Sequence, residues 1–148
     1  MNRVLIILSL FFCLFSLASC ERTDDIDEIF YGKTWYMNGG TLNGKGMNTD
    51  VKSFYETLDS YYIIFTPNTF KGKMANDAPF SGKWTVDGKK HEITLYFDSK
   101  PTVHSDLDQQ IYDVLKSAKE YESGATFLFI RQDRSNIVMF GPSRNIKN

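Results

Sequence analysis

The chain has 148 residues, with 17 basic and 18 acidic side chains, a formal net charge of −1 and 15% aromatic residues. This length predicts one domain, and the absence of a basic stripe in the sequence excludes nucleic acid as an expected partner. Both cysteines, Cys13 and Cys20, lie near the N-terminus, so the body of the chain has none with which to form a disulfide and must be stabilised by packing.

Residues 1–19 have the layout of a secretory signal peptide, with a short positive head at Asn2 and Arg3. An apolar run follows from Val4 to Leu17, interrupted by two serines. The run is shorter than the roughly 20 apolar residues that cross a bilayer as a helix. We therefore expect cleavage rather than a retained transmembrane helix. The leader contains one of the 17 basic residues and no acidic one, which leaves 16 basic against 18 acidic residues.

The leader ends in Leu17, Ala18, Ser19 and Cys20, and these four residues resemble the lipobox of bacterial lipoproteins. The resemblance implies cleavage before Cys20 and a diacylglycerol on its sulfur; the alternative is a buried or disulfide-bonded Cys20. Acyl chains hold a protein on a membrane by about 0.8 kcal/mol per buried CH2. The expected partner is thus the membrane, through a lipid anchor at Cys20. The expected location is the outer membrane, at its periplasmic face or at the cell surface.

Residues 20–28 are polar and acidic, and we interpret them as a tether between membrane and domain. Acidic residues after a lipidated cysteine also resemble the surface-export signals of Bacteroidetes lipoproteins. The candidates for such a signal are Asp24, Asp25, Asp27 and Glu28. An ordinary solvated linker is the alternative.

Residues 29–141 are predicted to form a β-rich domain, and residues 142–148 a polar tail. Residues 38–46 are rich in glycine and predict a surface loop or hairpin, and Asp87-Gly88 is a strong hairpin signal. Ser105 is expected to cap a helix that ends at Ser123-Gly124. The other helix is predicted at 48–59, and strands are predicted at 33–37, 61–66, 69–74, 80–86, 91–97, 126–131 and 136–140.

Aromatic residues alternate along several of the predicted strands. Because successive side chains of a strand point to opposite faces, Tyr36, Tyr62 and Tyr96 are expected to face outward, and their sequence neighbours to form the core. Outward rings can stack on a sugar or on a partner protein. These three tyrosines are the candidate ligand or partner face, although most aromatic residues are expected to be core.

Several short elements resemble those of the META domain, a small domain of bacterial envelope proteins. They are Trp35 after Gly32, the Ile64-Phe65 strand, Phe70-Lys-Gly, Phe80-Ser-Gly-Lys-Trp84, and a helix at 111–121 followed by Thr126-Phe-Leu-Phe and Ile137-Val-Met-Phe140. The family's Gly-Cys-Asn segment is missing. The resemblance implies an α+β, mostly β fold: one META-like or lipocalin-like antiparallel β-barrel, or a strongly curved sheet, with one or two packed helices and no established catalysis.

Catalytic motifs are not evident in the sequence. A metal site would require Asp98 or Asp106 to converge with His104, and His91 lies 13 residues from that histidine. Neither a metal nor a cofactor is predicted, and the protein is not expected to be an enzyme. We expect a lipid-anchored envelope protein that binds a protein partner or an apolar or glycan ligand. The alternative is a lipocalin-like carrier of a small hydrophobic molecule.

Overall fold

The computed structural model of the protein describes residues 23–47 and 59–143. The lipobox residues Leu17 to Cys20 and all but the last residue of the predicted helix at 48–59 lie outside these ranges. The described chain forms the elements α1 (Ile26–Phe30), β1 (Thr34–Leu42), β2 (Lys45–Gly46), β3 (Tyr62–Phe65), β4 (Thr69–Lys73), β5 (Pro79–Asp87), β6 (Glu92–Phe97), α2 (Asp106–Lys116), β7 (Glu120–Gly124), β8 (Phe127–Arg131) and β9 (Ile137–Gly141).

Eight of the strands close an antiparallel barrel. β1 pairs with β3, and pairing then follows the chain order from β3 to β9. β9 returns to β1, with Phe140 opposite Met37 and Ile137 opposite Thr41. β2 extends the end of β1 as a short hairpin. The predicted fold class, a mostly β lipocalin-like barrel with packed helices, is confirmed.

β1 is longer than predicted, because it extends into the glycine-rich segment at 38–46. Of the two predicted alternatives for this segment, the structure has the hairpin, in which β1 turns back into β2, and not the surface loop. Its register with β9 shifts between Met37 and Gly39, which is the irregularity of a β-bulge. Gly40 has φ of +139°, and a Cβ there would lie 2.0 Å from the carbonyl oxygen of Ile137. Glycine therefore allows β1 to approach β9 closely, and this approach closes the barrel.

Aromatic side chains fill the barrel interior. The ring of Phe30 lies 5.0 Å from that of Phe65 and 4.8 Å from that of Trp84, and Phe65 and Trp84 are 4.7 Å apart. Phe70 adjoins Phe65 and continues the cluster. Close-packed rings bury large apolar areas and dominate the stability of such a core.

The predicted tether is part of the folded domain from residue 24 onward. Residues 26–30 form α1, capped by the Asp25 carboxylate, which accepts from the backbone N–H of Glu28. The Asp24 N–H donates to the Gly88 carbonyl at 3.2 Å. The tether prediction is wrong for these residues, because Phe30 is fully buried and draws the preceding turn of helix onto the barrel.

The second helix is shorter than predicted. Ser105 caps α2 as expected, since its hydroxyl accepts from the Asp108 N–H. The helix ends at Lys116, however, and Glu120–Gly124 is the strand β7 rather than the last turn of the helix. The reason is non-local: Tyr121 is buried in the barrel and β7 pairs with β8, with Tyr121 opposite Ile130. In the described part of the chain, no helix is long and apolar enough to cross a bilayer.

Candidate functional site

The three candidate tyrosines lie on the outer face of the barrel. Their sequence neighbours Trp35, Ile63 and Leu95 are buried, at 0%, 0% and 2% exposure. Tyr36 and Tyr62 are half-buried, and Tyr96 is 56% exposed. The predicted orientation therefore agrees with the structure, whereas a binding role for these rings stays a prediction.

Tyr36 and Tyr62 form a cross-strand pair. They are directly opposite in the register of β1 and β3, and their ring centroids are 6.3 Å apart in an edge-to-face arrangement. Tyr96 lies three strands away on β6, opposite Lys83 of β5. The structure thus brings two of the three tyrosines together and leaves the third separate.

Lysines occupy the outer face between these tyrosines. Lys73 is opposite Tyr62, Lys71 is opposite Ser81, and Lys83 is opposite both Thr69 and Tyr96. A shallow cleft of about 410 Å³ lies among Tyr62, Lys71, Lys73, Ser81 and Ser99. We call this surface the Tyr–Lys face; it consists of Tyr62, Lys71, Lys73, Ser81, Lys83 and Tyr96.

The cleft of the Tyr–Lys face lies far from the point where the described chain begins. Pro79, at the start of β5, is opposite Lys73, whereas the other end of β5 leads into Gly88, which binds Asp24. Pro79 and Asp87 are the two ends of a nine-residue strand. At about 3.3 Å per residue, they are separated by about 26 Å along the strand.

A second polar site lies where β6 and β7 meet. These strands share a single residue pair, Glu92 with Glu120. The cleft beside them measures about 440 Å³. We call it the seam cleft, and its lining is mostly charged: Asp24, Lys90, His91, Glu120, Tyr121, Glu122, Ser123 and Arg131.

Asp24 is the centre of the seam cleft. Its Oδ2 accepts from the Tyr121 hydroxyl at 2.9 Å and lies 3.4 Å from His91 Nε2. His91 has φ of +56°, a left-handed conformation that is uncommon for a non-glycine residue. Arg131 forms an ion pair with Glu122 at the other side. The sequence did not predict this cluster, because Asp24 was placed in the tether and Tyr121 in a helix.

Burial raises the pKa of Tyr121 well above its usual value, and the nearby Asp24 carboxylate raises it further. The phenol therefore stays protonated into the alkaline range and acts as a hydrogen-bond donor to Asp24, not as a general base. The arrangement explains how the N-terminal segment is held across the weakly paired strands. This is a structural role that needs no substrate.

The other residues considered for metal binding have separate partners. The Asp98 carboxylate accepts from the Ser81 hydroxyl at 2.8 Å. The His104 backbone N–H donates to Asp108 at 3.0 Å. No group of three or more His, Cys, Asp or Glu side chains that could hold a metal ion occurs within residues 23–47 and 59–143.

Residues 21–142 match a family described as "Domain of unknown function (DUF4847)". The chain belongs to the DUF4847 family. The match begins before α1, in agreement with the structure, where Asp24 and Ile26 of the segment assigned to the tether contact the barrel. The resemblance to the META domain is not tested by this match.

A crystal structure of a DUF4847 family protein from Bacteroides vulgatus has a similar fold, with a TM-score of 0.66. The two chains are 16% identical, and the similarity covers 81% of this chain and 99% of the other. At this identity the similarity concerns the fold alone. No curated protein matches the sequence. The function of this DUF4847 domain must therefore be argued from its own surfaces.

Proposed function

We propose that this DUF4847 protein is a non-enzymatic, lipid-anchored protein of the cell envelope that binds its ligand or partner through the outer face of the barrel. The observation that carries the proposal is the aromatic filling of the interior. Trp35, Phe65 and Phe70 are each at most 1% exposed. Recognition must then use the outside, where Tyr36, Tyr62 and Tyr96 lie.

The packed interior also argues against the carrier hypothesis. A carrier needs a cavity of several hundred Å³ lined by apolar groups. In the described structure, Phe30 enters the barrel and contacts Phe65, Trp84 and Tyr121 with centroid distances of 4.8 to 5.3 Å. A lipocalin-like carrier would need these rings to move apart, and much of the stabilising packing of the core would then be lost.

The lipid anchor rests on the sequence from Leu17 to Cys20. Asp24 is four residues after Cys20 and is held on the barrel by Tyr121 and by Gly88. Four extended residues reach at most about 14 Å. Lipidation at Cys20 would therefore keep the β5–β6 turn near the membrane surface and direct the cleft of the Tyr–Lys face away from it.

The anchor is tested with Cys20→Ala in the full chain, expressed in a bacterium that processes lipoproteins. We expect this variant to leave the membrane fraction and to lose incorporated palmitate. Cys13→Ala is the matched control, since it removes the other cysteine while leaving the lipobox intact, and it should stay in the membrane. Membrane retention of Cys20→Ala would refute the anchor.

The binding mode is tested by native mass spectrometry of the protein purified from membranes in mild detergent. External recognition predicts the mass of the lipidated chain with no small apolar molecule retained. A stoichiometric hydrophobic molecule that survives gentle ionisation would instead support the carrier and refute binding by the outer face alone.

A further inference from the structure

We propose that the Tyr–Lys face binds an acidic polysaccharide, whose carboxylate or sulfate groups pair with the lysines and whose sugar rings stack on the tyrosines. This inference rests on the proposed function, because it names the ligand class of the same outer face. It is carried by the arrangement of two lysines, Lys71 and Lys83.

Lys71 and Lys83 are exposed and share one face of the sheet. Thr69 is opposite Lys83, so Lys71 is the diagonal neighbour of Lys83, at about 7 Å. Among the residues that the structure describes, neither lysine forms an ion pair. Two like charges at this spacing repel each other modestly, and an anionic ligand that bridges them would remove the repulsion.

Hydroxyl groups and aromatic rings surround these lysines. Ser81 lies opposite Lys71. Its hydroxyl donates to Asp98, so its oxygen can accept a hydrogen bond from a sugar hydroxyl. Tyr62 adjoins the cleft, and Tyr96 stands beside Lys83. Cations and hydrogen-bonding hydroxyls between two rings provide the polar and stacking contacts that a charged sugar chain uses.

A protein partner fits this surface less well. Stable protein interfaces have an apolar core. Within residues 23–47 and 59–143, however, Tyr96 is the only large hydrophobic residue that is exposed. Apart from Pro79, the exposed outward residues of β4 and β5 are instead short polar side chains and lysines, such as Thr69, Ser81 and Thr85. An isolated ring in a polar, cationic surface favours a glycan over a protein.

The membrane that holds the anchor also fits the Tyr–Lys face poorly. Asp24, Asp25, Asp27 and Glu28 lie where the described chain begins, with Lys33 beside Glu28 and Lys90 of the β5–β6 turn beside Asp24. The cleft of the Tyr–Lys face is about 26 Å along β5 from that turn. Lys83 and Ser81, which is opposite Lys71, are four and six residues from Asp87, or about 13 Å and 20 Å along β5. The two lysines therefore stand back from the lipid headgroups, toward polymers outside the anchoring leaflet.

The test uses the mature lipidated protein in detergent and affinity electrophoresis in gels that contain polygalacturonate, an acidic polysaccharide. Dextran serves as the neutral polysaccharide, and poly-glutamate as the acidic peptide. We expect retardation by polygalacturonate only, decreasing as salt is raised because exposed charges are screened. Equal retardation by dextran or by poly-glutamate would overturn the proposal, and the latter would indicate an acidic protein.

Paired variants locate the binding surface. Lys71→Gln/Lys83→Gln should weaken polygalacturonate binding by about tenfold, and Tyr96→Ala should weaken it further without altering the fold. Lys89→Gln/Lys90→Gln makes the same change of charge at the other end of the barrel and should alter binding less than twofold. Equal loss in both lysine pairs would overturn the proposal, because it would mean unspecific charge attraction.

The two proposals can fail separately. A protein that is membrane-bound through Cys20 and free of an internal ligand, yet is not retarded by polygalacturonate, refutes the acidic-glycan inference and leaves the proposed function standing. A retarded protein that also retains a hydrophobic molecule refutes external binding as the sole function.

Discussion

The hydroxyl of Tyr121 donates a hydrogen bond to Asp24 across 2.9 Å, although the two residues are 97 positions apart in the chain. Tyr121 lies on β7, and Asp24 stands just before the first helix. His91, on the β5–β6 turn, is 3.4 Å from the same carboxylate oxygen. One carboxylate thus joins the N-terminal segment to both sides of the least paired junction of the barrel.

Replacing Tyr121 by Phe should destabilise the domain by about 1–2 kcal/mol, since a partly buried hydrogen bond to a carboxylate is lost. The pH dependence should change as well. The pKa of Tyr121 is raised in the folded state, so the unfolded phenol ionises first, and this residue's contribution to stability falls as pH rises above about 10. Urea unfolding at pH 7 and from pH 9 to 11 measures both effects.

Tyr62→Phe is the control for this change, because Tyr62 is an outer-face tyrosine whose hydroxyl lacks a hydrogen bond in the described structure. Tyr62→Phe should leave the free energy of unfolding at pH 7, and its decrease between pH 9 and 11, nearly as in the parent protein. An identical alkaline slope for the parent protein and Tyr121→Phe would contradict the assignment.

Phe30→Ala should cost about 3–5 kcal/mol, because it removes a fully buried ring and leaves a cavity. Hydrogen exchange should then become faster throughout α1, whose attachment depends on this ring. Ile29→Ala is the matched control in the same helix, where Ile29 is only half-buried, and should cost clearly less. Equal losses would show that Phe30 does not hold the helix on the barrel.

Asp108→Ala should destabilise the protein by about 2–4 kcal/mol. Asp108 is fully buried, and its carboxylate accepts from the Tyr61 hydroxyl at 2.6 Å and from the His104 N–H at 3.0 Å. Both donors would be left without this acceptor. Asp106→Ala, in the same helical turn but exposed, should cost only about 0.3–1 kcal/mol through the helix dipole. Thermal unfolding distinguishes the two, and similar melting temperatures would argue against the buried network.

Gly82→Ala should reduce stability by about 1–3 kcal/mol or more. A Cβ at this position would lie 2.1 Å from the Tyr96 carbonyl oxygen and 2.8 Å from Phe70 Cζ. At Gly46 a Cβ would meet nothing within 4 Å, so Gly46→Ala is the control and should be nearly neutral. Denaturant unfolding gives the comparison, and a neutral Gly82→Ala would mean that β5 and β6 can separate at little cost.

Local signals predicted most of the barrel strands. β3, β4, β5, β6, β8 and β9 agree with the predicted segments within two residues at each end, because alternation and turn residues act over short distances. Asp87-Gly88 does join β5 to β6, with Asp87 opposite Glu92. The outward direction of Tyr36, Tyr62 and Tyr96 followed from the same two-residue period.

Long-range pairing explains the errors. Gly39 and Gly40 were predicted in a surface loop or hairpin and not in strand β1, yet β9 supplies a partner strand that keeps them extended. Glu120 to Glu122 were predicted to be the last residues of a helix that Ser123-Gly124 ends, yet β8 pairs with them. Asp24 to Glu28 were predicted to be part of a tether, yet the burial of Phe30 holds them in an ordered segment on the barrel. In each case a contact with a distant segment outweighed a weak local preference.

The sequence by itself determined the strand period, the Ser105 cap, the outward tyrosines and the lipobox prediction at Leu17 to Cys20. These depend on neighbouring residues, whose geometry is set by backbone stereochemistry. Only the tertiary structure decided that β9 returns to β1, that Phe30 enters the barrel, and that Asp24, His91 and Tyr121 meet. Such contacts join residues up to 97 positions apart, and their stability comes from burial and hydrogen bonds that form only once the barrel has closed.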